Sequence, residues 1–113
     1  MKLFVYGTLK RGERNNHLLT QYGAKFLQKD LVQNHGVYGP FPVACYAEGV
    51  DLEGEVWDNI TTELWERLDA LESGYKRTEL FTLAEHKVMI YLAGTFLRGT
   101  LFGKPASKWA KEE

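Results

Sequence analysis

A chain of 113 residues is long enough to bury one hydrophobic core but short for two, which predicts a single domain over residues 1–113. With 44% hydrophobic and 13% aromatic residues, it carries too much apolar surface to remain disordered. A formal net charge of -1 at pH 7 gives no bulk attraction for nucleic acid or an anionic membrane, so neither is expected as a partner.

The charge is uneven along the chain. Residues 48–72 carry nine acids against one base, Arg67, whereas residues 1–14 carry Lys2, Lys10, Arg11 and Arg14 against Glu13. The two segments can attract each other, but separate solvation is the simpler expectation because exposed pairs gain little. Cys45 has no second cysteine to bond, which fits a reducing compartment. The opening residues hold one Lys and four apolar residues before Gly7, too few for the apolar part of a signal peptide. No stretch approaches the roughly 18 apolar residues of a membrane helix. A soluble, cytoplasmic protein is expected.

Residues 2–6 form an apolar, aromatic and β-branched run stopped by Gly7, the pattern of a buried strand. The polar stretch 8–16 with Gly12 reads as a loop, and a short helix is expected around 17–22. Residues 24–33 alternate imperfectly and predict a second strand. Residues 36–44 hold two glycines and two prolines among aromatics, so a constrained loop leading into a short strand is expected. Residues 52–57 predict a strand with Gly54 inside, a placement that marks a bulge or a close backbone approach. The clearest helix is Thr62–Leu71, with Asn59, Thr61 or Thr62 as cap and Gly74 to stop it. Residues 77–84 and 87–93 alternate as two strands turning at Glu85 and His86. The tail from Arg98 is mixed. Several strands and one strong helix indicate a compact α+β domain, a small curled sheet or mixed barrel.

The most informative feature is the position of Glu72. At about 100° per residue with Leu64 as origin, Leu68 falls near ~40°, Leu71 near ~340° and Trp65 near ~100°. Glu72 falls near ~80°, inside the apolar arc, while Glu66, Arg67 and Ala70 lie outside it and Asp69 at its edge. Burial against apolar groups raises a carboxyl pKa, and the helix C-terminus adds a smaller effect in the same direction. A carboxyl titrating nearer neutrality suits a base that must later act as an acid. Glu72 is therefore the candidate catalytic residue; the plain alternative is a helix end that turns outward and pairs with Lys76 or Arg77.

The segment Tyr6-Gly7-Thr8-Leu9-Lys10-Arg11-Gly12 leaves a buried strand abruptly. Backbone N–H groups freed where a strand ends can converge on an anion, and Lys10 and Arg11 add positive field. The spacing is not that of a P-loop. His17, His35 and His86 are far apart and show no metal-ligand pattern, so no metal is expected. Cys45 reads as a small core residue, Trp57 and Trp65 as core aromatics, and Arg77 as the partner of an acid.

Together these segments resemble a known family. Tyr6-Gly7-Thr8-Leu9 is similar to the Tyr-Gly-Ser/Thr-Leu signature of gamma-glutamylcyclotransferase-like proteins, and residues 5–12 with Asn16 and His17 resemble the gamma-glutamylamine cyclotransferase branch in particular. Gly54-Glu55-Val56-Trp57 resembles a strand motif of that family. Leu68-Asp69-Ala70-Leu71-Glu72, followed by Gly74, Tyr75 and Arg77, resembles its segment carrying the catalytic glutamate. The resemblance runs in order from residue 4 to residue 93. It implies a small β-barrel flanked by helices, with the turn and the glutamate facing one cavity.

It also implies a small gamma-glutamyl substrate and a reaction. The α-amine attacks the side-chain carbonyl of its own glutamyl group, releasing 5-oxoproline and a free amine. Tyr6, Gly7, Thr8 and Leu9 would hold the α-carboxylate, largely through backbone N–H groups, and Glu72 would move the protons. Lys10, His17 and Tyr75 are further candidates for the pocket wall. The nucleophile belongs to the substrate, so neither a Ser-His nor a Cys-His pair is required, and no cofactor is expected. Two other readings stand beside this one: an amidase or hydrolase using water in the same pocket, and a ligand-binding or interaction domain of the same fold without catalysis. The oligomeric state is left open.

Overall fold

The opening strand β1 (Lys2–Val5) is apolar at every position after Lys2 because both of its faces are covered. Leu3 and Val5 point to one side and Phe4 and Tyr6 to the other, and each pair belongs to a different buried cluster. A computed structural model describes residues 1–39 and 41–110 of the chain. After β1 come α1 (Asn16–Gln21), β2 (Lys25–Tyr38), β3 (Val43–Asp58), α2 (Thr62–Leu71), β4 (Tyr75–Phe81), β5 (Lys87–Ala93) and α3 (Thr95–Arg98). The strands form one sheet in the order β2-β3-β1-β5-β4, with β1 and β5 parallel and the other neighbours antiparallel.

The sheet curls far enough for its two edges to meet at one end. In the connection between β4 and β5, the Leu83 N–H donates to Leu31 O on β2 at 2.8 Å, and the Ala84 N–H donates to Asp30 Oδ1 at 3.2 Å. His86 Nε2 lies 2.8 Å from Gln28 Oε1 of the same strand. This is the curled, mixed sheet flanked by helices that the sequence predicts.

Two strands run longer than their local patterns suggest. Residues 36–38, expected in a loop, are the end of β2, and the short strand expected after that loop is continuous with the one expected over residues 52–57, forming β3. Register slips between Phe26 and Gln28 and between Gln33 and His35 break the alternation of β2, so its period does not show in the sequence. The tail after Gly94, which carries no legible pattern, docks against this hairpin. Val37 and Ala106 exchange backbone hydrogen bonds of 2.9 and 2.8 Å, and Trp109 is buried with Phe4, Val37 and Leu52.

Helix α2 forms as its signals predict. Thr61 is the cap, its hydroxyl accepting from the Leu64 N–H at 3.2 Å, and Gly74 beyond its end has φ 93. Leu64 and Leu68 are fully buried against Leu3, Val5, Leu19 and Trp57. Each such side chain stabilises the docked helix by about 1.5–3 kcal/mol.

The glycine inside β3 answers a close approach. A Cβ on Gly54 would stand 2.4 Å from Val5 O and 2.5 Å from the ring of Phe4. Gly54→Ala is expected to cost at least about 1–3 kcal/mol, because the contact includes backbone that cannot yield. Urea unfolding checks this, and an Ala variant as stable as the parent would show that β1 and β3 do not meet as described.

Candidate active site

The chain leaves β1 in a turn that closes on itself. Lys10 N–H donates to Gly7 O at 3.1 Å, and Asn15 N–H to Thr8 O at 2.9 Å. Asn15 Nδ2 donates to Thr8 Oγ1 at 3.0 Å, and Asn16 Nδ2 to Leu9 O at 2.8 Å. In these bonds Gly7, Thr8 and Leu9 serve as acceptors, and their N–H groups donate in none of them. The turn is fastened to the sheet by Glu55, which is only 6% exposed. Its carboxylate accepts from the Arg11 N–H at 3.0 Å, from Arg11 Nε at 3.2 Å and from Trp57 Nε1 at 3.1 Å. The basic opening segment and the acidic middle segment therefore attract each other at Arg11 and Glu55, where separate solvation was the simpler expectation.

Glu72 caps the C-terminal end of α2, its N–H bonded to Leu68 O at 2.8 Å. Four residues beyond buried Leu68, its side chain leaves the helix on the apolar side and is half-buried. Arg77, a possible partner by sequence spacing, pairs with Asp69 at 3.5 Å instead. Burial pushes the Glu72 carboxyl up from its ordinary 4.5 to about 7.

Turn and carboxyl border one cavity of about 330 Å³. Tyr6, Gly7, Thr8 and Leu9 line one side, with Arg14 and Asn15; Glu72 and Tyr75 line another, and Pro42 and Tyr91 border the space as well. Three phenols are tied into this wall. Tyr6 Oη donates to Tyr91 O, Tyr75 Oη to Pro42 O at 3.0 Å, and Tyr91 Oη to Asp69 Oδ1 at 2.6 Å. Burial holds all three above the ordinary tyrosine range, Tyr75 to about 12, so they are neutral donors near pH 7.

Two sequence candidates stand apart from this cavity. Lys10 lines a second, charged hollow with Glu13, Asp30 and Glu55. His17 is exposed, its Nδ1 3.1 Å from Arg14 O. Sequence reasoning missed Arg14, Asn15, Tyr91, Leu97 and Thr100. Asn15 had a weak signal in its neighbour Asn16; the residues after Gly94 had none. Among the described residues, no group of three or more His, Cys, Asp or Glu could hold a metal ion, and no helix is long and apolar enough to cross a membrane.

A family model described as gamma-glutamyl cyclotransferase, AIG2-like, matches residues 3–111. The chain belongs to that family. A Drosophila melanogaster protein, CG2811, whose name assigns it provisionally to the gamma-glutamylcyclotransferases, is 42% identical over 81 residues, which are 63% of this chain and 51% of that protein. The chain thus matches about half the length of that curated relative. Among solved structures, the uncharacterized protein PH0828 of Pyrococcus horikoshii is similar with a TM-score of 0.73 at 29% identity, over 98% of this chain and 86% of that one. An AIG2-like protein of mouse shares the fold at 22% identity with a TM-score of 0.80, over 96% of this chain and 87% of that one.

The raised pKa of Glu72 makes a stability prediction. Between pH 4.5 and about 7 the folded chain holds a proton that the unfolded chain has lost, so this residue's contribution to stability falls as pH rises through that window. Glu72→Gln removes the dependence. The melting temperature of the Gln variant relative to the parent is expected to be higher at pH 8 than at pH 4.5. A difference that does not change with pH would place the carboxyl in solvent.

Proposed function

We propose that the chain is a cyclotransferase that cleaves gamma-glutamyl amines or related small gamma-glutamyl compounds, with Glu72 as the group that moves protons. One observation carries this reading: a sheltered carboxyl titrating at about 7 borders the same cavity as the turn that ends β1. The N–H groups of Gly7, Thr8 and Leu9 are the donors for the glutamyl α-carboxylate, and Arg14 adds positive charge at the same end. This placement directs the α-ammonium and the side-chain carbonyl toward Glu72.

The Glu72 carboxylate takes a proton from the α-ammonium. The amine nitrogen then attacks the side-chain carbonyl carbon and closes a five-membered ring. Protonated Glu72 gives that proton to the leaving nitrogen as its bond to the carbon breaks, then takes the second proton that the ring nitrogen sheds and passes it to the departing amine, which leaves as an ammonium ion. The products are 5-oxoproline and the free amine, and the enzyme ends in its starting state. Holding a flexible glutamyl chain folded for attack supplies several kcal/mol, and the shuttling carboxyl about 10²–10⁴-fold. Tyr6, Tyr75 and Tyr91 supply a rigid wall. Lys10 lies outside this scheme except as distant positive charge, and His17 has no role in it.

The test is to incubate the protein with gamma-glutamyl amides and follow 5-oxoproline. Glutamate appearing in its place would reassign the site to hydrolysis. Glu72→Gln is expected to fold and to lose about 10²–10⁴-fold in kcat; full activity in that variant would sink the assignment. In the parent, kcat/KM should climb with pH through about 7, since the ionised carboxyl is the form that accepts the proton.

A further inference from the structure

We infer that the leaving group this site accepts is an uncharged, apolar amine, and that conjugates of cationic amines such as diamines are rejected. The inference rests on the cyclotransferase reading above and concerns the end of the cavity away from the turn.

The outer wall of the cavity is apolar. Phe41 and Leu71 both line it while remaining 69% and 45% exposed, which places them at its rim. Leu97 completes the wall and lies against Gly74, where an added Cβ would come within 3.4 Å of it. Pro42 links this rim to the turn, because it abuts Gly7 so closely that a Cβ there would fall 2.5 Å away.

The polar groups of this wall are already committed. Tyr75 Oη donates to Pro42 O, and Thr100 Oγ1 donates to Leu97 O at 2.7 Å. Tyr91 Oη donates to Asp69, a residue outside the lining. Among the described residues, the lining holds two charged side chains, Arg14 and Glu72. Glu72 must face the reacting nitrogens, so it is not free to pair with a remote ammonium. Arg14 would repel one. Among the described residues, a cation leaving its hydration shell for this wall meets no acid besides Glu72, whereas an alkyl or aryl group gains contact with Phe41, Leu71 and Leu97.

Three conjugates separate the outcomes: the gamma-glutamyl amides of phenethylamine, of 1,4-diaminobutane and of isobutylamine. The phenethyl and isobutyl amides are expected to give kcat/KM at least about tenfold above the diamine amide. Phe41→Asp, at an exposed position, should narrow that ratio by lowering the apolar amides and raising the diamine one. The same order should appear in calorimetric binding to the Glu72→Gln protein, a readout independent of turnover. Equal turnover of all three, or a preference for the diamine conjugate, would overturn the inference and leave the cyclotransferase reading intact. Absence of 5-oxoproline from all three would remove that reading, and the inference with it.

Discussion

The Glu55 carboxylate accepts three hydrogen bonds beside the last residue of β1, and the position of the turn depends on it. On β3 it lies opposite Val5, where the chain is about to leave the sheet. Arg11 returns to it with both its backbone N–H and its guanidinium, while Trp57 donates from the same strand. A buried charge is tolerable only when its acceptor sites are filled, and filling them here closes the loop from residue 6 to residue 11. The Arg11 guanidinium also rests 3.5 Å from the centroid of the Phe26 ring, which covers it on β2. Without this anchor the turn would be held chiefly by its own short-range bonds, and the N–H groups of residues 7–9 would have no fixed direction.

The opposite wall is built by burial. Helix α2 docks through Leu64 and Leu68, and its C-terminal end borders the same cavity as the turn. Glu72 inherits its place from that geometry. The packing that stabilises the helix thus withdraws the carboxyl from water and raises its pKa, so a stabilising contact and a destabilised charge share one element. Asp69, one helical turn earlier, stays ordinary in role: it accepts from Tyr91 and pairs with Arg77, which also lies 4.7 Å from the centroid of the Trp65 ring. Arg77 is thereby kept from neutralising Glu72.

Much of this frame was legible before any coordinates. The unbroken run in β1 announced a buried strand, Gly54 marked a bulge or a close approach, and the wheel of α2 placed Glu72 between Leu68 and Trp65. These are short-range properties. Each is set by the period of a strand or helix, or by the absence of one side chain. The hairpin of β2 and β3 was partly hidden because bulges shift its register, and the docking of the tail was invisible because residues after Gly94 follow no period. Lys10 and His17 shared a segment with the turn, but a turn fans its side chains outward, and adjacency in sequence did not bring them to the cavity.

The sequence by itself determined β1 and α2, the family-like motifs and the carboxyl that stands on the wrong side of its helix. Local periodicity is enough for those. Only the tertiary structure decided that Arg11 binds Glu55, that Arg77 chooses Asp69, and that Phe41, Leu71 and Leu97 from three separate segments form one apolar rim. The first and the last of these span dozens of residues along the chain. They depend on how the sheet curls and where the helix lands, quantities that no window of neighbouring residues contains.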